Sequence, residues 1–319
     1  MAKLIALFAL SLLALSNACA QQYPTRPIRL VVPAAPGGGT DITARSFVPQ
    51  LADNLGQAIV IENHGGAGGV VGTSVVAKAA PDGYTILMAY ISHATNPTLV
   101  RSLPYDTLKD FEPITLISHE PTVLVTNPSH PAKTLGEFTA WVKENAAKIS
   151  YATDPGSAGF LAAELYLQRI GAKVQYIPYK GSGPAAADVV AGHVPYMWSV
   201  ISIVTPYAKG GRLKPLAVAA EHRAPALLDV PTAAEAGLPD FAVSGWYGLV
   251  APAKTPKGVL DRVHAEAAKA LKNEAVMQRL ATSGSIPIGD GPDILANHIR
   301  AEIERWNRVL TAAGVQPTN

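Results

Sequence analysis

Twice along this 319-residue chain a short apolar run empties into a glycine-rich turn that opens a helix. The first run is Ile28 to Val32, followed by Pro33-Ala34-Ala35-Pro36-Gly37-Gly38-Gly39-Thr40-Asp41. The second is Ile149 to Ala152, followed by Thr153-Asp154-Pro155-Gly156-Ser157-Ala158-Gly159. A largely apolar run between turn residues, here with only Arg29 and Ser150 as polar members, is the pattern of a strand buried on both faces, and such strands occur in parallel sheets covered by helices. The rest of the chain keeps that rhythm. Phe47, Val48, Leu51 and Leu55 have helical spacing, Ala58 to Ile61 and Tyr84 to Ala89 read as strands, and Val70 to Ala80 reads as a helix between them. A second set starts after Pro121, with strands at Thr122–Val125, Val174–Pro178, Met197–Val204 and Pro215–Ala219. The chain ends in two helical stripes, Val259 to Leu271 and Ile294 to Leu310. The expected class is α/β, in two units.

The first twenty residues are set apart from this pattern. Lys3 precedes the apolar run Leu4 to Leu15, which is too short to span a bilayer, and the run ends at Ala18-Cys19-Ala20. A positive start, an apolar centre and a small-residue exit describe an export signal, with cleavage expected after Ala20. A lipid-anchored Cys19 is the lesser alternative, because Ser16 stands where such sites usually carry Leu. No later stretch is apolar enough to cross a membrane, so the product is expected to be exported and not membrane-spanning.

Composition excludes more than it assigns. A net charge of +2 is too small for a nucleic-acid footprint, and one cysteine excludes a disulfide framework or a cysteine zinc site. There is no P-loop, no GxSxG, no HExxH and no close cluster of metal-binding spacing, so no nucleophile, base, metal or cofactor is expected. What remains is the physics of the glycine turns. The first turn of a helix has unpaired N–H groups and a dipole that favours negative charge, and glycine lets a ligand approach the backbone. Ala35, Pro36, Gly37, Gly38, Gly39, Thr40 and Asp41, with Gly156, Ser157, Ala158 and Gly159, are therefore candidates to hold an anion. The competing reading makes them ordinary turns, with Thr40 or Asp41 as a helix cap.

Ordered motifs along the whole mature chain resemble one family. They are Tyr23-Pro24-Thr25-Arg26-Pro27-Ile28, Pro36-Gly37-Gly38-Gly39-Thr40-Asp41, and Glu62-Asn63 with Gly66-Ala67-Gly68-Gly69. Pro81-Asp82-Gly83-Tyr84-Thr85, Leu103-Pro104-Tyr105-Asp106, Pro178-Tyr179-Lys180-Gly181 and Asp229-Val230-Pro231-Thr232 follow. The chain is similar to the Bug-type substrate-binding receptors of tripartite tricarboxylate transporters. That resemblance implies a two-lobed, Venus-flytrap periplasmic binding protein. It also implies a small carboxylate ligand (an amino acid or a mono- or dicarboxylate, aromatic ones included) held through backbone amides of the two loops, and delivery to membrane transporter subunits. A monomer is expected. The lobes are expected at residues 21–122 with 243–319, and at 123–242.

The chain departs from the family where Phe160 replaces a His, where Asp154-Pro155 occupies the second loop, and where Ser199-Val200 replaces a polar pair. An added carboxylate at Asp154 disfavours a tricarboxylate and suits an amino acid or a small, aromatic or aliphatic, monocarboxylate. Asp154 reads first as a capping or loop-surface residue, with contact to a ligand ammonium the lesser reading. Ser92, His93 and Asn96 follow a strand where a cleft would form, or satisfy local backbone. Trp246 and Tyr247 match a family aromatic in the cleft wall, while Phe160 and Trp198 read as core. Two other classes stay open: a secreted enzyme on a similar fold, and a sensor that reports ligand occupancy to a partner.

Overall fold

The computed structural model describes residues 23–312 and 314–317; the expected export signal, 1–20, lies outside them. The chain opens with β1 (Ile28–Val32), α1 (Gly39–Leu55), β2 (Ile59–Asn63), α2 (Val70–Ala77), β3 (Thr85–Tyr90) and α3 (Ser92–Leu99), and then the long β4 (Phe111–Thr126). The middle holds α4 (Leu135–Asn145), β5 (Ser150–Thr153), α5 (Ala158–Ile170), β6 (Gln175–Pro178), α6 (Ser182–Ala191), β7 (Tyr196–Val200), α7 (Ile201–Lys209) and β8 (Lys214–Ala219). β9 (Ser244–Pro252), α8 (Lys257–Leu271), α9 (Glu274–Ser283), β10 (Ile286–Asp290) and α10 (Pro292–Ala312) complete it.

Strand order is β2-β1-β3-β9-β4-β7-β5-β6, with β10 and β8 also paired to β4. β1 pairs with β2 and β3 in parallel, and β5 pairs with β6 and β7 in parallel. α1 shows why the helices sit where they do. Its Phe47, Val48, Leu51 and Leu55 fall on one face and are buried, and each such side chain contributes about 1.5–3 kcal/mol. Gly56, in the left-handed region at φ 71°, closes the helix by returning its N–H to Ala52 O.

β4 is the strand that joins the two lobes. Its residues Phe111 to Pro121 pair antiparallel with β9, and Thr122 to Thr126 pair with β7 and β8. The partner change falls between Pro121 and Thr122, where Thr122 N and Oγ1 both donate to Val243 O, at 3.0 and 2.9 Å. The ladder is thus continuous through one shared strand, where the sequence reading expected a new set of strands to begin at Thr122. The first eleven residues of β4 escaped it because Glu112, Pro113, His119, Glu120 and Pro121 interrupt the apolar run, and proline weighs against a central strand. A second correction concerns Met197–Val204. The strand ends at Val200 and Ile201 starts a helix. Ile201, Ile203 and Val204 are buried just as strand residues would be, so periodicity cannot separate the two states.

Beside the partner change lies Glu120, which is 0% exposed. It accepts hydrogen bonds from Thr43 Oγ1 of α1 at 2.9 Å, Ser202 Oγ of α7 at 2.5 Å, and Ser285 Oγ just before β10. Burial raises its carboxyl pKa against those three hydroxyls.

Candidate ligand-binding site

The C-terminal ends of β1, β3, β5 and β7 point at one place, as expected for ligands of α/β sheets. The loop after β1 is shaped by its own side chains. Gly37 lies at φ 75° and its N–H donates to Asp41 Oδ2 at 2.9 Å, while Gly38 N donates to Ala35 O at 3.2 Å. Asp41 also accepts from Arg45 Nε, at 3.0 and 2.9 Å, and from Asn63 Nδ2 at 3.0 Å. Burial would raise the Asp41 carboxyl, but the bonds from Arg45, Gly37 and Asn63 outweigh it and hold the group below its usual range. The first helical bond of α1 is Ile42 N to Gly38 O. The N–H groups of Gly39, Thr40 and Asp41 precede it and have no acceptor within the helix. Gly39 is required by close approach: a Cβ there would overlap the Tyr247 hydroxyl and stand 2.7 Å from Val200 Cγ2.

The loop after β5 ends in a side-chain cap. Ser157 Oγ accepts from Phe160 N at 3.1 Å, which leaves the N–H groups of Ala158 and Gly159 for another acceptor. A Cβ on Gly159 would overlap the Trp198 carbonyl oxygen and stand 2.9 Å from Thr153 Oγ1. The two loops face each other across a cavity of about 20 Å³, room for about one water. The lobes touch around it. Thr95 Oγ1 of α3 donates to Gly156 O at 2.9 Å, and a Cβ on Gly183 would stand 3.0 Å from Gly37 O.

Of the residues expected from sequence, Gly38, Gly39, Thr40, Asp154, Ser157, Ala158, Gly159, Trp246 and Tyr247 line this cavity. The others lie elsewhere. Ala35 packs against Gly181, Pro36 is exposed, and Gly37 and Asp41 shape the first loop from behind. Ser92 hydrogen-bonds the Tyr90 hydroxyl. Asn96 donates to Gly68 O at 3.0 Å, and Gly156 holds Thr95. His93 lies on a separate cavity of about 380 Å³ with Phe111 and Ile299, its ring edge-on to Phe111 at 4.9 Å. Ser199 points into the core, because neighbouring strand residues face opposite ways and Val200 takes the cavity side.

The sequence reading missed Tyr90, Ile91, Ser182 and Gly245 as lining residues; Ala34, at the start of the first loop, and Val200, beside Ser199, line it too. Tyr90 ends β3 and Ile91 follows it, two and one positions before Ser92, so a strand placed one residue longer reaches Tyr90 but not Ile91. Asp154 is corrected in its setting. It is a buried residue, 6% exposed, and not a loop-surface carboxylate. Ser182 Oγ donates to its Oδ1 at 2.6 Å. Burial raises its pKa against the bonds from Ser182 and Ser157. Tyr247, buried against Thr40, is likewise raised by burial, with Glu120 and Asp154 adding to it. The site offers helix-end N–H groups, hydroxyls and one carboxyl. Among the described residues no group of three or more His, Cys, Asp or Glu is placed to hold a metal ion.

The family model of the tripartite tricarboxylate transporter receptors matches residues 43–315. Protein BugT of Bordetella pertussis is 37% identical over 300 residues, covering 93% of this chain and 92% of that protein. The structure of the periplasmic binding protein BugD superposes with a TM-score of 0.90 at 34% identity, covering 93% of this chain and all of that one. MatC from Rhodopseudomonas palustris, solved with bound malate, superposes at 0.86 and 36% identity, covering 90% of this chain and all of that one.

Proposed function

The chain belongs to the tripartite tricarboxylate transporter receptor family, and on that premise we propose that it captures a small carboxylate between its lobes and hands it to the membrane subunits of such a transporter. The family is one of periplasmic solute-binding receptors, so the site of action proposed here is the periplasm, reached through the export signal cleaved after Ala20. The observation that carries the reading is the meeting of the first turns of α1 and α5, one from each lobe, at one enclosed cavity. Both turns present N–H groups without helical acceptors, and both dipoles favour an anion. The malate bound in MatC supports the same ligand chemistry. We place the lobes at 21–122 with 243–319 and at 123–242, in keeping with the partner change in β4.

A cavity this small admits a carboxylic acid only when the lobes move apart, so binding and closure are coupled. The test is thermal denaturation of ligand-stripped protein with a panel of mono-, di- and tricarboxylates and amino acids, followed by calorimetry. A ligand at 100 times its dissociation constant adds about 2.7 kcal/mol to stability. If no carboxylate raises the melting temperature, the reading is wrong. If one does, a strain lacking the protein should lose uptake of that compound; unchanged uptake refutes delivery to a transporter.

A further inference from the structure

Around the cavity the charges are unequal. Two helix N-termini supply partial positive charge, yet among the described residues lining it there is no Lys or Arg and there is one carboxyl, Asp154. Three hydroxyl-bearing rings, Tyr90, Tyr176 and Tyr247, lie close enough for the Asp154 charge to act on them, and none is a cation. Lys180 shares a second small cavity with Asp154 but makes no ion pair with it, and Asp154 is held by hydroxyl and backbone donors. Burial makes the Asp154 carboxyl costly to ionise without a cation beside it, and a ligand cation placed next to it would lower that cost.

We infer that the ligand is an α-amino acid, whose carboxylate sits on the first turns of α1 and α5 and whose ammonium is accepted by Asp154. This rests on the carboxylate-receptor reading above and narrows it. The α position follows from the small space. Asp154, Ala158 and Gly159 line one cavity of about 20 Å³, which leaves little separation between the two ligand charges. Ser182 orients the carboxyl from α6. A dicarboxylate brings a second negative charge to a cavity that has no cationic side chain to receive it.

The probes are three pairs that differ in the ammonium: alanine with propionate, serine with lactate, aspartate with succinate. Calorimetry at neutral pH on ligand-stripped full chain should give at least one amino acid that binds about 10- to 100-fold more tightly than its partner, the range for a hydrogen bond to a charged group. Asp154→Asn should erase that ratio while leaving the des-amino acid as strong or stronger. Asp154→Ser serves as the second variant, and circular dichroism checks both folds. If the des-amino acids bind as well as the amino acids in the native protein, or if both variants keep the ratio, the inference fails and the carboxylate reading stands. Binding of no member of any pair, with no other carboxylate bound in the panel above, removes both.

Discussion

The two loops that face the cavity are built alike and charged alike, but they use their carboxyl groups in opposite ways. Each follows the C-terminal end of a parallel strand, each contains a glycine in the left-handed region, and each carries one buried Asp. Asp41 turns inward and is saturated by Arg45, Asn63 and the Gly37 N–H. Asp154 meets hydroxyls and no cation, and it lines the cavity. The first carboxylate is part of the scaffold that shapes the loop; the second is part of the surface that a ligand meets. What separates them is whether a cation lies one helical turn away. Arg45 stands four residues after Asp41, while Ala158 stands four residues after Asp154.

The largest effect should come from the glycines that let the loops approach their neighbours. Gly159→Ala drives its Cβ into a main-chain carbonyl that cannot move aside, so urea denaturation should show a loss near the top of the ~1–3 kcal/mol range for overpacking. Gly39→Ala meets side-chain ends, Tyr247 and Val200, which line the cavity. Its stability loss should be nearer 1 kcal/mol, about the low end of that range, with ligand affinity lost. Equal stability losses would erase the distinction between the loops.

The aspartates come next. Asp41→Asn should cost about 1.5–3 kcal/mol, as for loss of hydrogen bonds to a charged group. Asp154→Asn should be neutral or gain up to about 1 kcal/mol at neutral pH, because it removes a buried charge without a cation. Destabilisation by both to the same degree would mean that Asp154 is scaffold too.

The smallest effect is in the pH profile of stability. The unfolded carboxyls titrate at about 3.9. The folded Asp41 pKa is lowered, so its stabilisation is full above the unfolded value and is lost as pH falls through the folded one. The folded Asp154 pKa is raised, so its ionised form destabilises above the folded value, and that cost fades as pH falls toward the unfolded one. Relative to the native chain, Asp154→Asn should remove a gain in stability on mild acidification, and Asp41→Asn should remove a loss at the acid extreme. A single profile shared by both variants would contradict the assignment.

Much of this site is legible in the chain because glycine turns at the ends of apolar runs are a local signal. Residue order alone places Gly38, Gly39, Ala158 and Gly159. The rest depends on what packs across the cavity. Nothing near Asp154 in the sequence says that Ser182 will reach it from α6, or that Tyr90 and Tyr247 will bury it. His93 and Asn96 are natural candidates for the cleft because they follow β3. The helix that starts there turns them instead toward Phe111 and Gly68. For the fold, the apolar runs of β3 and β8 are readable, whereas β4, broken by prolines and charges, is only half so, and the buried β9 went unread. A strand shared by two lobes need not be apolar along its length when its neighbours bury it.

The hydroxyl cluster on Glu120 bears on how tightly such a receptor holds its cargo. Thr43 and Ser285 reach it from one lobe and Ser202 from the other, one residue before the step where β4 changes partners. Rotation of one lobe against the other about that step must carry or break the Ser202 bond. The apparent dissociation constant equals the intrinsic one divided by the fraction of molecules already competent to close on ligand. Glu120 and Ser202 line no part of the cavity, so Ser202→Ala is expected to change affinity through that fraction while leaving the order of preferred ligands unchanged, as calorimetry with several ligands would read.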